Sequence, residues 1–204
     1  VFVDVDDQTL NIDPRDILRV ITRKTRAICV VHYAGVAAPM DEILEIAKTY
    51  SLTVIEDNAH GLGGKYRDET LGSLGTFGTH SFHETKNITC GEGGSLVVND
   101  NDYIERAEIL REKGTNRSRF LRNQVDKYTW CDLGSSWVMS DLLAAVLLAH
   151  LERFELISNH RQSIYSLYSS SLSDWAAKLS IRTPFIPTYA THTAHMYFLR
   201  FPTL

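Results

Sequence analysis

The sequence offers little to take it into a membrane or onto a nucleic acid. No apolar run approaches the roughly 20 residues of a membrane-spanning helix. Cysteine is scarce: Cys29, Cys90 and Cys131 make an odd set without C-x-x-C spacing. They are read as reduced thiols of a cytoplasmic protein. Positive charge is not in excess. The formal net charge is −4 and the pI about 6.1, so no basic footprint argues for nucleic acid. The eight histidines are scattered and no H-E-x-x-H occurs, so no metal is expected. G-x-G-x-x-G and Gly-Lys-Ser/Thr phosphate loops are missing too, and the Gly91-Glu92-Gly93-Gly94 turn precedes a strand rather than a helix. There is no internal repeat and no low-complexity tract.

What is present is enough for one domain, or for one domain and part of another: 204 residues, 44% of them apolar. Both ends look unfinished. The chain opens on Val1 in a strand-like VFVDVD and stops just after an apolar run, so a piece of a longer protein is expected. No signal peptide is visible.

Strand and helix patterns alternate. Residues 1–5 read as a short strand. Asp13-Pro14 reads as a helix start, a capping carboxylate followed by proline, with Ile17, Leu18 and Ile21 on one face. The run from Arg26 to Val31 suits a strand covered on both faces. Pro39 opens a helix with Met40, Ile43, Leu44 and Ala47 at helical spacing. Leu52–Ile55, Thr79–Phe82 and Ser95–Val98 are further strands. A helix over 101–113 would turn Ile104, Ala107 and Leu110 inward and stop at Gly114. Ser140 caps a long helix whose stretch Leu142–Ala149 is apolar all round, which predicts burial on more than one face. Near 170–180 the composition shifts to serine and then proline, which marks a domain boundary. The pattern predicts an α/β fold with a mainly parallel sheet.

The chemistry concentrates between residues 54 and 94. Asp57 ends a buried strand, where open α/β sheets collect ligands. Lys86 follows a second strand ending at Ser81. A carboxylate for a pyridine nitrogen, a lysine for an aldehyde and a hydroxyl for a phosphate together fit pyridoxal 5'-phosphate. Asp57 would keep the ring nitrogen protonated, and Lys86 would form the Schiff base and then move a proton. Ala59 would let a flat ring lie against the backbone. His60 would donate to the phenolic oxygen or pack beside the ring. His83 lies in the site or only in its turn. Taken singly, Asp57 is also a helix cap or surface acid, Lys86 a solvated lysine, and Ser81 a strand-end serine. The basic loop with Arg117, Arg119, Arg122 and Lys127 suits an anionic substrate such as a nucleotide diphosphate, and equally a solvated surface.

Glu56-Asp57-Asn58-Ala59-His60, then Ser81-Phe82-His83-Glu84-Thr85-Lys86-Asn87, then Gly91-Glu92-Gly93-Gly94, resemble the DegT/DnrJ family of sugar-nucleotide aminotransferases. VFVDVD, VHYAG at 31–35, REKGTNRSRFLRNQVDKYTW at 111–130, GSSWVMSDLLAA at 134–145 and HTAHMYF at 192–198 extend the resemblance over nearly the whole chain. It implies an aspartate aminotransferase-like fold-type I protein. Residues 1–170 would be a pyridoxal-phosphate domain lacking its first part, and residues 171–204 the start of a small α+β domain. The implied cofactor residues are Lys86, Asp57, His60, Ala59, Ser81 and Ser136. Ser136 stands where many relatives have an asparagine that reaches the neighbouring subunit's phosphate. His83, Arg117, Lys127, Tyr128 and His195 are implied to face substrate. Asn58, in place of a usual alanine, is expected to point away from the ring.

The HETKN and QVDKYTW segments look like a subgroup that aminates C4 of a dTDP-linked 4-keto-6-deoxy sugar. Glutamate would be the donor and 2-oxoglutarate its product, in a homodimer with shared active sites and no membrane or nucleic-acid partner. Related dehydratases replace the lysine with histidine, so Lys86 argues against that activity. A truncated relative that binds without turnover is the other alternative, and this chain alone is expected to be inactive.

Overall fold

The computed structural model describes residues 1–202. Helix α1 (Pro14–Val20) starts as its sequence predicts: the Asp13 carboxylate accepts from the Arg15 N–H, and Pro14 takes the first helical position. Ile17 is buried, but Leu18 is half exposed, so the apolar face is narrower than the pattern. Strand β1 (Ala27–Val31) leads through His32 and a 3₁₀ turn (Tyr33–Gly35) to α2 (Met40–Tyr50). Helix α2 buries Met40, Ile43 and Ala47 and keeps its acids and lysine outside. Strand β2 (Thr53–Asp57) follows, then a small hairpin of β3 (Lys65–Tyr66) and β4 (Glu69–Thr70), then β5 (Phe77–Ser81) and β6 (Gly94–Val98).

The main sheet has the order β1-β2-β5-β6. The first two pairings are parallel and the last is antiparallel. The expected parallel sheet is therefore present, with an antiparallel edge. Its core lies on one side only. Ile28, Val30 and Val54 pack with Ile17, Met40 and Ile43 beneath the helices. The opposite face carries Cys29, Val31, Ile55, Asp57 and Thr79, none of them buried. That corrects the expectation that the 26–31 run is covered on both faces. Val31 remains 42% exposed.

Residues 1–5 form no strand: Val5 makes a single bridge with Ile12. The helix expected over 101–113 is a 3₁₀ turn (Asn101–Tyr103) joined to α3 (Ile104–Arg111), and none of its residues is buried. Ile104 points outward, so that inward face is corrected as well. Gly114 lies three residues past the helix end at φ 75°, where its N–H reaches the Ile109 carbonyl.

Helix α4 (Arg117–Leu121) sits in the basic loop. Ser140 caps α5 (Asp141–Leu151) by accepting from Leu143 N–H. Leu143 and Leu147 of α5 pack onto Phe82, Ile88 and Cys90. Leu142, Val146 and Leu148 stay exposed, Leu142 by 82%, so within this chain α5 is covered on one face rather than several. Helix α6 (Phe154–Lys178) runs unbroken through the serine-rich stretch. Strand β7 (Ala190–Thr191) then pairs with β3. Arg182 and Arg200 both pair with Asp7, tying the last segment to the first. All three cysteines are free thiols. No described helix is long and apolar enough to cross a membrane.

Candidate active site

The site grows from the ends of β2 and β5. Alternation along β2 sends Val54 and Glu56 into the core and leaves Asp57 on the open face. Asp57 is in register with Thr79 of β5. Ser81 lies two residues further on that strand, so it shares their face. The Asp57 carboxylate accepts from Ala59 N–H at 3.1 Å, which turns the chain out of the sheet towards His60. Asn58 faces the other way. It is fully buried, and its Nδ2 donates to the Leu71 carbonyl and to His80 Nε2. Its Oδ1 has no partner.

Lys86 sits in a closed loop between β5 and β6. Phe82 N–H donates to the Gly93 carbonyl, Cys90 N–H to the Phe82 carbonyl, and Lys86 N–H to the His83 carbonyl. Phe82 and Ile88 anchor this loop in the second apolar cluster, against Leu143, Leu147, Phe154 and Ile157. Burying such side chains contributes about 1.5–3 kcal/mol each, so the lysine rides on a fixed base.

Six further side chains converge on the same place. His60 and His195 stack with centroids 4.2 Å apart and planes at 15°. Tyr33 meets His60 edge-on at 6.2 Å. Asn87, next to Lys86, holds His195 Nδ1 at 2.9 Å and the Thr193 carbonyl at 2.8 Å. Thr193 Oγ1 in turn donates to the His60 carbonyl at 2.7 Å. Arg161 of α6 donates to the carbonyls of Ala194 and His195.

The electrostatics are those of a partly dehydrated, cationic corner. Burial lowers the His60 pKa; Lys86 lowers it further, and Asp57 works against both. The His195 pKa is pushed down to about 4, first by burial and then by His60, Lys86 and Arg161. Cys29, on the open sheet face, is raised by burial and by Asp57. Asp57 and Lys86 thus both act on His60, and His60 and Lys86 both act on His195.

The remaining candidates stand apart from that group. His83 Nδ1 bonds Thr85 Oγ1 at 3.0 Å, and its Nε2 faces Glu92 at 3.7 Å, so it serves the lysine loop itself. Arg117 pairs with Glu112 at 3.3 Å, and Tyr128 leans on Phe120. Ser136 forms a bridge with Glu112, and Lys127 is exposed. Among the described residues, His83 touches that group only through its backbone carbonyl, which accepts from Lys86 N–H, and the other four make no bond to it. Sequence reasoning passed over Asn87, Thr193, Arg161, Tyr33 and His32. The available signals were their places in the quoted motifs: Asn87 directly after the lysine, His32 and Tyr33 in VHYAG, and Thr193 in HTAHMYF.

A lysine loop and a strand-end acid on the open face of a mainly parallel α/β sheet define an aminotransferase-like protein. The comparisons agree. Residues 1–203 match the DegT/DnrJ/EryC1/StrS aminotransferase family, and the chain belongs to it. The spore coat polysaccharide biosynthesis protein SpsC of Bacillus subtilis is 32% identical over 203 residues, covering 98% of this chain and 51% of that protein. The aminotransferase TlmJ from Streptoalloteichus hindustanus superposes with a TM-score of 0.88 at 26% identity, over 99% of this chain and 53% of that one. Spr1654 from Streptococcus pneumoniae, described as a sugar aminotransferase and solved in its PLP form, gives 0.82 at 25% identity, over 98% and 54%. The chain thus spans about half the length of the relatives it matches.

The residues present fit pyridoxal phosphate. His60 Nδ1 is buried with no hydrogen-bond partner, an atom that a polar ligand group would satisfy. Beside it are the acid and the lysine that such a ring requires.

Proposed function

We propose that the protein transfers an amino group to C4 of a dTDP-linked 4-keto-6-deoxyhexose. Glutamate would be the donor, leaving 2-oxoglutarate, and the product a dTDP-4-amino-4,6-dideoxyhexose of galactose configuration. The observation that carries this reading is the grouping of Asp57, His60 and Lys86 around an unsatisfied, buried histidine nitrogen. Family membership supports the reaction class. The dTDP sugar and the galactose configuration rest on the likeness of the HETKN and QVDKYTW segments.

When bound, pyridoxal phosphate supplies an electron sink and a carrier for the amine. Asp57 then holds the proton on the pyridine nitrogen. Lys86 would supply the amine for the cofactor's aldehyde, and its Nζ, once freed, would move the proton at the substrate carbon. Ser81 donates its hydroxyl to the phosphate. His60 Nδ1, which has no partner in the fold, would serve the phenolic oxygen, and Ala59 would let the ring lie close to the backbone. Arg117, Lys127 and Tyr128 bind the nucleotide diphosphate, His83 lies at the rim, and Ser136 reaches the phosphate across a homodimer. The exposed leucines of α5 would be covered in that dimer. The large domain passes to the small one between 170 and 180, at the end of α6.

The test is borohydride reduction of the pyridoxal-phosphate-loaded protein, followed by peptide mapping. A pyridoxyl group on Lys86 is expected. An adduct on another lysine, or none, overturns the reading. With the site established, amination of dTDP-4-keto-6-deoxyglucose, followed by NMR of the product, tests the sugar and its configuration.

A further inference from the structure

The last segment of the chain is fastened to the lysine loop by one side chain, and that side chain fixes a proton. Asn87 Nδ2 donates to the Thr193 carbonyl at 2.8 Å. A carbonyl only accepts, so the orientation of the amide is settled: its NH₂ faces Thr193 and its oxygen faces His195. Asn87 Oδ1 lies 2.9 Å from His195 Nδ1. An amide oxygen also only accepts. His195 Nδ1 therefore carries the hydrogen, and in the neutral ring Nε2 carries the lone pair.

The surroundings keep that ring neutral. His60, from the turn after β2, stacks on it. The charge of Lys86, in the loop after β5, acts on it, and Arg161 holds its backbone carbonyl from α6. His192, in the same segment, accepts from Ala194 N–H through Nδ1. Asp57 is the acid that acts on the stack, through His60. Among the described residues no carboxylate pairs with His195. Burial and the neighbouring cations bring its pKa to about 4, so the ring is uncharged at neutral pH.

We infer that Asn87 is a positioning residue that holds His195 in the Nδ1–H tautomer, leaving Nε2 as a hydrogen-bond acceptor for the amine handled at Lys86. The tautomer follows from the hydrogen bonds alone, while the identity of the amine rests on the transaminase reading. The arrangement gives an otherwise cationic corner one uncharged acceptor suited to an N–H group. It also couples the closure of the 192–195 segment to the lysine loop, because the same amide makes both bonds.

The experiment is ¹⁵N NMR of histidine-labelled protein, cofactor-free and loaded with pyridoxal phosphate, for the wild type, Asn87→Ala and Asn87→Asp. H195N assigns the resonance. In the wild type, His195 should show a protonated Nδ1 and an acceptor-type Nε2. Asn87→Ala should move the ring towards the Nε2–H form. Asn87→Asp should keep Nδ1–H and raise the titration midpoint by roughly one pH unit or more, because a carboxylate then faces the ring. In steady state, Asn87→Ala should raise KM for the amino donor more than it lowers kcat. A wild-type Nε2–H ring overturns the proposal, as does a tautomer and midpoint common to all three proteins. If Asn87→Ala does not fold, Asn87→Asp decides alone. Absence of a cofactor band at Lys86 would count against the transaminase reading and leave the tautomer result standing.

Discussion

Glu56 Oε2 lies 2.9 Å from His32 Nε2, and neither side chain is exposed to solvent. His32 Nδ1 accepts from Ala38 N–H, so the hydrogen sits on Nε2 and is donated to the carboxylate. The same carboxylate accepts from the backbone N–H groups of Gly72, Leu74 and Gly75 at 2.8, 2.7 and 2.6 Å. Glu56 is thus the hub on which the 72–75 turn is built, one residue before Asp57. Burial alone would raise its pKa, but His32 and the N–H groups of Gly75 and Gly72 prevail, and the net shift is downward.

Replacing Glu56 should therefore be costly. Glu56→Ala strands three backbone donors and His32 in the core, at about 1–3 kcal/mol for each unsatisfied group. A loss of more than about 3 kcal/mol in urea unfolding is expected. Glu56→Gln should also destabilise, because one arm of the amide turns donors towards donors. If Glu56→Gln unfolds at the wild-type midpoint, the hub has been misread.

The acid limb should show two windows. Several histidines have lowered pKa values in the fold, among them His60, His80, His192 and His195, with burial the first cause in each. A group that binds its proton less readily when folded favours the unfolded chain once pH drops below its ordinary value, here 6.5. Stability should fall from about pH 6.5 towards pH 4, and His195→Asn should flatten that slope in urea titrations at pH 7 and pH 5. Glu56 acts lower down. Its contribution is complete above 4.5 and is lost as pH falls through its depressed value. Identical slopes for the wild type and His195→Asn would contradict the neutral, half-buried ring.

Asp57 stood out in the sequence as the end of an apolar run and Lys86 as a lysine shortly after a second one, and the strands 27–31 and 53–57 were legible from their continuity. Glu56 was also readable in principle: it occupies the buried phase of β2, between Val54 and Asn58, where an acid needs partners. Its partners were not readable, because His32 and the 72–75 turn reach it only through the packed sheet. The same holds for Asn87 with Thr193 and His195, contacts between residues more than a hundred positions apart that leave no periodic trace. The 26–31 run and the all-apolar Leu142–Ala149 stretch predicted burial that this chain does not supply by itself. The apolar pattern of 101–113 failed for a different reason: α3 is a short surface helix with no buried residue, held by ion pairs of Glu105 with Arg119 and Glu108 with Arg122.

Gly35 should not tolerate a side chain. It sits at φ +77°, and an added Cβ would lie 1.9 Å from Thr193 Oγ1 and 2.7 Å from the His60 carbonyl. Those two atoms form the bond that closes the 193 segment over His60. Gly35→Ala combines about 1–3 kcal/mol of backbone strain with the loss of that contact. Hydrogen exchange should quicken at Thr193, whose N–H donates to the Gly35 carbonyl, before global unfolding does. Unchanged protection at Thr193 would mean that the segment is held by other contacts.

The sharpest test of the chemistry is Asp57→Asn. The substitution keeps the shape of the side chain and an oxygen that can accept from Ala59 N–H, so the turn towards His60 should stand. An amide carries no charge to hold a proton on a pyridine nitrogen, so the electron sink weakens while the lysine remains free to react. Turnover should fall by about 10²–10⁴, the range for loss of a group that positions a proton. Borohydride should still place a pyridoxyl group on Lys86, and the urea midpoint should stay close to that of the wild type. A variant that keeps full turnover would remove Asp57 from the mechanism. One that loses labelling together with turnover would make Asp57 a residue of cofactor binding rather than of ring protonation.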